Sequence, residues 1–242
     1  MDILDWTKDI VKVDNKHSAF FPHTIRCVLA GPSGAGKTNL MIHLLRTKGL
    51  LHYDDVYIYG PSLHQPIYSD LRKYYENLEK VFYKLSKRNV RIGHFYDSDE
   101  DIVDPSMLNP DKSHIMIFDD VMLANQSKIK DYFCRGRHNN VNVFYLVQSL
   151  HKIAKHCIRE NCNIFILFRQ DDKTMKYFHE AYLEGDMGFD EFKSFYDKVW
   201  SKENSFIVIN LWDKAEFGRY WANYNEIYSP NKYEKKVYNN IQ

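Results

Sequence analysis

Residues 31–38 of this chain read Gly31-Pro32-Ser33-Gly34-Ala35-Gly36-Lys37-Thr38. The segment has the G-x-x-x-x-G-K-[ST] spacing of a loop that binds the phosphates of a nucleoside triphosphate. The apolar run 25–30 before it predicts a buried strand, and the leucines of 39–46 recur at helical spacing. A strand, a glycine loop and a helix in this order let backbone N–H groups and the helix N-terminus converge on phosphate oxygens. A chance glycine turn is the alternative, and the flanking elements argue against it.

If the loop binds a nucleotide, its last two side chains have different roles. Lys37 can reach the β- and γ-phosphates of ATP, and the Thr38 hydroxyl can ligate Mg²⁺. The other residues of 31–38 surround the phosphates with their backbone N–H groups. The loop therefore predicts ATP and Mg²⁺ as the ligands of this protein.

A pair of aspartates follows a second apolar run. Residues 114–118 predict a buried strand, and Asp119 and Asp120 come directly after it. Ligands of parallel sheets bind at the carboxyl ends of the strands, so Asp119 is expected to hold Mg²⁺, mostly through water. Asp120 is then placed to orient or deprotonate the water that attacks the γ-phosphate. An ordinary acidic turn after a strand is the alternative.

A glutamine ends the next predicted strand. Residues 141–147 are apolar and β-branched or aromatic for most of their length, and Gln148 follows them. A polar group at this strand end can contact the γ-phosphate or the attacking water, so Gln148 is the candidate sensor of γ-phosphate. The alternative is a strand-end amide without a catalytic task.

Two arginines flank a glycine just before that strand. Arg135 and Arg137 form a compact cationic element, and an arginine supplied in cis or in trans stabilises the charge that grows on the γ-phosphoryl oxygens. The planar guanidinium suits this task better than a lysine ammonium. The alternative is a loop that binds an acidic neighbouring surface or DNA phosphate. Spacing alone does not choose between the two arginines.

The overall composition is that of an ordinary globular protein. The chain has 242 residues and a formal net charge of +1, so any nucleic-acid partner must be met by a local basic patch. Four cysteines without a C-x-x-C pair do not predict a disulfide framework or a zinc site. We see no secretory signal and no apolar run of membrane-spanning length, so we expect a protein that is neither secreted nor membrane-spanning.

The order of elements along the chain predicts one main domain. Residues 1–24 read as an irregular N-terminal arm, 25–222 as an ATPase domain, and 223–242 as a polar C-terminal tail. Alternating strands and helices favour an α/β fold with a mostly parallel sheet flanked by helices. Two runs, 206–211 and 217–221, predict a β-hairpin at the end of the domain.

The motifs in this order and spacing resemble those of a known family. Beyond the glycine loop, which countless enzymes share, the specific part is the segment Arg135-Gly136-Arg137-His138-Asn139-Asn140 leading into a strand that ends in Gln148. With Asp119 and Asp120, the chain is similar to genome-packaging ATPases of the FtsK–HerA superfamily, in the poxvirus-like branch of large DNA viruses, virophages and Polinton-type elements. The resemblance covers roughly residues 20–222.

The resemblance implies a fold, partners and a place of action. The fold is a P-loop NTPase of the additional-strand class, in which an extra strand separates the loop strand from the Asp119 strand. The partners are double-stranded DNA, a viral capsid vertex and further copies of the chain in a ring of five or six subunits, each site being completed by a neighbour's arginine. The place of action is the cytoplasm or virus factory of an infected cell, or the virion itself.

Three functions remain open on the sequence. The leading one is an ATP-hydrolysing motor that moves double-stranded viral DNA into a preformed capsid. The second is a nucleotide kinase-like phosphotransferase in which the two arginines act from a mobile lid. The third is a nucleotide-gated capsid assembly module, which would bind ATP tightly and turn it over negligibly.

Overall fold

The strand that precedes the glycine loop lies inside a large sheet. The structure, a computed structural model, describes residues 17–98, 102–121, 126–154 and 156–232. Within these ranges the sheet has nine strands, which are β1 (Arg26–Ala30), β2 (Asp55–Tyr59), β3 (Gly93–Tyr96), β4 (His114–Asp119), β5 (Val141–Val147), β6 (Ile164–Phe168), β7 (Phe206–Asn210), β8 (Tyr220–Ala222) and β9 (Glu226–Tyr228). Their order across the sheet is β3-β2-β4-β5-β1-β6-β7-β8-β9.

Helices cover both faces of this sheet. They are α1 (Lys37–Arg46), α2 (Pro66–Ser86), α3 (Gln126–Arg135), α4 (Asp172–Tyr182) and α5 (Phe189–Trp200). Successive residues of a strand face opposite sides, so Leu29 of β1 packs with α1 and α2, whereas Val28 packs with α3, α4 and α5. The central strands are buried on both faces, which explains their almost uninterrupted apolar sequences.

The pairing directions divide the sheet into two parts. Strands β1 to β6 pair in parallel, and β5 lies between β1 and β4. Strands β7, β8 and β9 are antiparallel to their neighbours. The predicted α/β class, with a mostly parallel sheet and an additional strand between the loop strand and the Asp119 strand, is confirmed.

Two buried asparagine side chains hold the start of the loop strand. The Asn142 side-chain oxygen accepts a hydrogen bond of 2.8 Å from the Ile25 N–H, and that of Asn163 accepts one of 2.8 Å from the Arg26 N–H. Asn142 belongs to β5, and Asn163 precedes β6, so β1 is fixed from both sides. These contacts set the position at which the chain leaves the sheet and enters the glycine loop.

The end of the domain differs from the prediction in its details. The expected hairpin is present, but its second strand is Tyr220–Ala222 rather than 217–221. Glu226–Tyr228, assigned by sequence to the polar tail, pairs with β8 as a further antiparallel strand. Its three residues are too few to show an alternating pattern, so the sequence carried no signal for it. The division into arm, domain and tail stays a prediction, since 1–16 and 233–242 lie outside the described residues.

Candidate nucleotide-binding site

The glycine loop leaves the carboxyl end of β1 and leads directly into α1. The Gly31 N–H donates to the Val147 carbonyl across 3.1 Å, which ties the start of the loop to the end of β5. A Cβ on Gly31 would lie 2.6 Å from the Phe168 Cβ, so only glycine fits there. Gly34 and Gly36 have φ values of +77° and +100°, which other residues rarely adopt. The loop can therefore turn tightly and present its N–H groups beside the N-terminus of α1.

Lys37 lies on the loop that it follows. Its side chain is buried, and its Nζ donates to the carbonyls of Gly31 at 2.7 Å and Pro32 at 2.9 Å. Burial lowers the pKa of Lys37 from its ordinary value, and the nearby charges of Asp119 and Asp120 oppose that shift. A buried ammonium thus lies among the groups expected to surround phosphates.

Asp119 accepts hydrogen bonds from two hydroxyl groups that belong to different helices. The Thr38 hydroxyl donates to Asp119 Oδ2 across 3.1 Å, and the Tyr68 hydroxyl hydrogen-bonds the same oxygen. Burial raises the pKa of Asp119, whereas the hydrogen bonds from Tyr68 and Thr38 and the charge of Lys37 lower it. Hydroxyl and carboxylate oxygens are ligands that Mg²⁺ prefers, so Thr38 and Asp119 form a fitting pair to hold it.

Tyr68 is a site residue that the sequence analysis missed. It lies in the first turn of α2, which begins with Pro66 at the same edge of the sheet as the glycine loop. Proline at a helix start predicts where α2 begins, but not which strand end it meets. The contact with Asp119 depends on β2 and β4 being neighbours, which no local pattern reveals.

Asp120 and Gln148 form a second pair at this edge. The Gln148 amide donates to Asp120 Oδ2 across 2.8 Å, and both residues are exposed. Asp120 has a φ of +56°, in the left-handed region that aspartate and asparagine enter more readily than most residues. Its N–H donates to the Leu146 carbonyl at 3.2 Å, so β5 supports the turn that follows β4.

These predicted residues share one cavity with four residues that were not predicted. The cavity has a volume of about 250 Å³, and its lining includes part of the loop together with Asp119, Asp120 and Gln148. The unpredicted residues are Asn39 of α1, Ser62 and Gln65 between β2 and α2, and Ile67 in the first turn of α2. A buried ammonium, a carboxylate with hydroxyl partners and an exposed carboxylate with an amide partner therefore meet around one space. Such a set can bind the phosphates of a nucleotide and position a water beside them.

The two predicted arginines do not lie at this edge. Arg135 ends α3, and Arg137 belongs to a short 3₁₀ turn, Gly136–Asn139, before the first residue of β5. The seven residues of β5 separate this turn from Gln148, a span of ~20 Å at the usual rise of a strand. Neither arginine can therefore reach the glycine loop of its own chain.

The surroundings of the two arginines also differ. Arg135 forms an ion pair of 2.9 Å with Asp131, one turn earlier in α3. Arg137 lies near Arg26, whose pKa is lowered by burial and by the Arg137 charge. The Arg26 Nε is buried and has no hydrogen-bond partner among the described residues. The amino edge of the sheet thus carries two neighbouring guanidinium groups, Arg26 and Arg137, on a chain of nearly neutral net charge.

Comparison with known proteins places the chain in a family. The sequence profile described as Poxvirus A32 protein matches residues 13–181, which include the glycine loop, both aspartates, both arginines and Gln148. The chain belongs to the poxvirus A32 protein family. The predicted resemblance to genome-packaging ATPases of the FtsK–HerA type is thereby confirmed, while the particular branch stays a prediction. No curated protein sequence matches this member of the family.

Solved structures with a similar fold include several complexes of one viral packaging NTPase. The genome packaging NTPase B204 of Sulfolobus turreted icosahedral virus 2 in complex with sulfate is 13% identical, with a TM-score of 0.53 over 86% of the A32-family chain and 100% of B204. The complex of B204 with AMP is 12% identical, with a TM-score of 0.51 over the same shares of the two chains. The complex with AMPPCP is 14% identical, with a TM-score of 0.50 over 79% and 94%. At these identities the likeness concerns the fold.

Among the described residues, no helix is both long enough and apolar enough to span a lipid bilayer.

Proposed function

We propose that this A32-family chain is an ATP-hydrolysing motor that moves double-stranded viral DNA into a preformed capsid. The observation that carries the proposal is the division of its residues between two edges of one sheet. Lys37, Asp119, Asp120 and Gln148 meet at the carboxyl edge, whereas Arg137 lies at the amino edge. Arg137 can then complete a nucleotide site only on a second copy, as in a homo-oligomeric ring of five or six subunits.

The residues at the carboxyl edge divide the hydrolytic reaction among them. Asp120 orients the attacking water and accepts its proton, and the Gln148 amide holds the Asp120 carboxylate through their 2.8 Å hydrogen bond. The water oxygen bonds to the γ-phosphorus while the bond to the bridging oxygen of ADP breaks, giving ADP and phosphate. Lys37 neutralises charge on the phosphate oxygens. Mg²⁺, when held by Thr38 and Asp119, would supply further positive charge to these oxygens.

A neighbouring subunit would supply the remaining positive charge. Arg137 is better suited than Arg135, because Asp131 already pairs with the Arg135 guanidinium. A head-to-tail arrangement brings the amino edge of one copy to the carboxyl edge of the next, and such interfaces form a ring when the rotation between copies closes. Hydrolysis then waits for the adjacent subunit, which would let the ring act on DNA in sequence. The family and the shared fold with a genome packaging NTPase support this reading.

The place of action follows from this proposal. A motor that fills capsids works in the cytoplasm or virus factory of an infected cell, or stays with the virion at a capsid vertex.

The test is ATP hydrolysis by the full chain across protein concentration, with and without linear double-stranded DNA. We expect turnover that rises more than linearly with concentration and rises further with DNA. Lys37→Ala should abolish turnover, whereas Lys80→Ala, on the exposed end of α2, should leave it unchanged. Turnover indifferent to both concentration and DNA would contradict the proposal. Phosphate transfer to a nucleoside monophosphate would indicate the phosphotransferase. Tight ATP binding without turnover would indicate the capsid assembly module.

A further inference from the structure

A second cavity borders the glycine loop on the side away from Asp119. It has a volume of about 250 Å³ and is reached past Ala35 of the loop. Its remaining lining comes from the end of β6 and from the segment between α5 and β7. The lining residues that carry the argument are Phe168, Arg169, Trp200 and Asn204.

The sheet order fixes which end of a nucleotide can meet this cavity. Strands β5 and β4 lie on one side of β1 and bring Gln148, Asp120 and Asp119 to the γ-phosphate end. Strands β6 and β7 lie on the other side of β1, and the second cavity opens there. If the γ-phosphate lies on the side of β5 and β4 and the phosphates follow the loop, the nucleoside extends toward β6 and β7.

The glycine loop lies directly beside the residues at the end of β6 and before β7, which form the wall of the second cavity. A Cβ on Gly36 would lie 3.6 Å from Phe168 Cε1 and 4.0 Å from the Asn204 side-chain oxygen. Phe168 and Asn204 therefore lie beside Gly36, the residue directly before α1. A nucleoside leaving the loop on this side would meet both of them.

Buried hydrogen bonds hold this wall in place. The Trp200 Nε1–H donates to the Leu167 carbonyl at 3.2 Å, which fixes the end of α5 on β6. The Ser205 hydroxyl is placed within 2.7 Å of the Val199 carbonyl and 2.6 Å of the Lys202 carbonyl, so the segment before β7 is closed onto α5. The wall is thus formed before a ligand arrives, which lowers the entropic cost of binding.

Two polar side chains of the cavity are available for a ligand. Neither the Arg169 guanidinium nor the Asn204 amide forms a hydrogen bond or ion pair with another group of the described residues. Both are exposed, whereas Phe168 and Trp200 beside them are buried. An apolar floor with a few free polar groups at its rim is the usual composition of a small-molecule site.

We propose that this second cavity holds the adenine base of the bound nucleotide and that Asn204 determines its selectivity. A carboxamide can pair with the N6 and N7 edge of adenine through two hydrogen bonds. Arg169 covers the face of the base, where a guanidinium is attracted by the π-system. A volume of about 250 Å³ is below the ~300–1,000 Å³ of pockets that hold a whole small molecule, which suits one end of a nucleotide.

The inference rests on the proposed function, so its test separates the base from the phosphates. The probes are Mg·ATP, Mg·GTP and Mg·tripolyphosphate, with binding to the full chain measured by calorimetry. Asn204→Gly is the main variant, because Asn204 has a φ of +56° that glycine adopts without strain. Asn225→Gly, in the exposed turn between β8 and β9, is the matched control.

The expected results differ between the three probes. The unmodified protein should bind ATP more tightly than GTP, and Asn204→Gly should weaken ATP about tenfold, the size of a lost hydrogen-bond pair. Tripolyphosphate binding should stay within about twofold in Asn204→Gly, since it has no base. Asn225→Gly should leave the affinities for all three probes unchanged. Arg169→Ala should weaken ATP and GTP together without affecting tripolyphosphate.

Other outcomes would overturn the inference in recognisable ways. Unchanged ATP affinity in Asn204→Gly, or an equal loss for ATP and tripolyphosphate, would show that the base does not lie in this cavity. Equal affinity for ATP and GTP in the unmodified protein would refute selectivity by Asn204. Failure of the unmodified protein to bind either ATP or tripolyphosphate would instead refute the phosphate site and hence the proposed function.

Discussion

The side-chain amide of Gln148 donates a hydrogen bond of 2.8 Å to the carboxylate of Asp120. The two residues are distant in sequence but follow adjacent parallel strands, β5 and β4, whose carboxyl ends meet at one edge. The amide fixes one oxygen of the carboxylate and leaves the other free for a water. A change of strand register between β4 and β5 would separate the two groups, so this pair depends on the sheet.

Asp120→Asn should remove hydrolysis while preserving ATP binding. Loss of a group that accepts a proton in the reaction typically costs ~10²–10⁴-fold in rate. Asparagine tolerates the left-handed φ of +56° at this position, so the melting temperature should not change. Steady-state turnover and calorimetric ATP binding, measured on the same preparation, test both statements. The control is Asp111→Asn, in the exposed turn before β4. Turnover within about twofold of the unmodified protein in Asp120→Asn would show that another group places the water.

Mixing two inactive variants should restore activity if the arginine acts between subunits. Arg137→Ala lacks the amino-edge cation, and Lys37→Ala lacks the loop cation, so each alone should be inactive. In an equal mixture that assembles at random, about a quarter of head-to-tail interfaces join an intact loop to an intact arginine. ATP turnover of the mixture should approach that share of the unmodified rate. Full turnover by Arg137→Ala alone would exclude Arg137 from the reaction, and Arg135→Ala would then be examined.

Gly60→Ala should disturb the nucleotide site by displacing the backbone of Asp119. A Cβ on Gly60 would lie 2.7 Å from the Asp119 carbonyl oxygen, so the end of β2 and the end of β4 would have to separate. We expect a loss of about 1–3 kcal/mol in the free energy of unfolding, the usual cost of overpacking, together with weaker Mg²⁺-dependent ATP binding. Urea unfolding and calorimetry measure the two effects. Gly185→Ala, where nothing lies within 4 Å of the added Cβ, is the matched control and should affect neither. An unaltered Gly60→Ala protein would show that the two strand ends can move apart freely.

His17 should make the protein less stable in acid. Burial lowers its pKa from the ordinary 6.5 to about 4, and its Nδ1 accepts a hydrogen bond of 3.0 Å from the His52 N–H. Between these two values the unfolded chain binds more protons than the folded one, so this contribution to stability is complete above pH 6.5 and is lost as the pH falls toward 4. The slope from one such group reaches at most ~1.4 kcal/mol per pH unit.

His17→Asn keeps an acceptor near the His52 N–H but cannot take up the proton. Urea unfolding between pH 4 and pH 7 should therefore show a flatter dependence of unfolding free energy in this variant than in the unmodified protein. His64→Asn, an exposed position, serves as the control and should retain the original slope. Identical slopes for the His17 variant and the unmodified protein would mean that His17 is protonated equally in both states.

The parts of the site that were predictable are those encoded by short patterns at strand ends. The loop 31–38 carries its own spacing rule, and Asp119, Asp120 and Gln148 each follow an apolar run that reads as a strand. Strand ends of a parallel sheet meet at one edge, so their assembly into a site followed from fold class. The contacts of Tyr68 and Asn204 depend on which elements become neighbours, and this information is distributed over the whole chain.

The position of Arg135 and Arg137 in the fold also could not be predicted from the sequence. Residue type and spacing marked Arg135 and Arg137 as cations for phosphate, and left open whether they act in cis or in trans. Only the course of α3 and the length of β5 show that they lie at the amino edge, too far from the loop of the same chain. The ion pair of Arg135 with Asp131 then distinguishes the two arginines, which the sequence alone could not rank.

The asparagine contacts that hold β1 have a consequence for the order in which the newly made chain can fold. The partners of the Ile25 and Arg26 N–H groups lie 117 and 137 residues further along the sequence. Such long-range pairings are slow to form, because a large loop of chain must close before they are made. At ~5–20 residues per second, a ribosome needs on the order of ten seconds after making the glycine loop to deliver both flanking strands. A chain released before residue 164 would carry the complete phosphate-binding sequence without β6, and we expect it to be unable to hold a nucleotide.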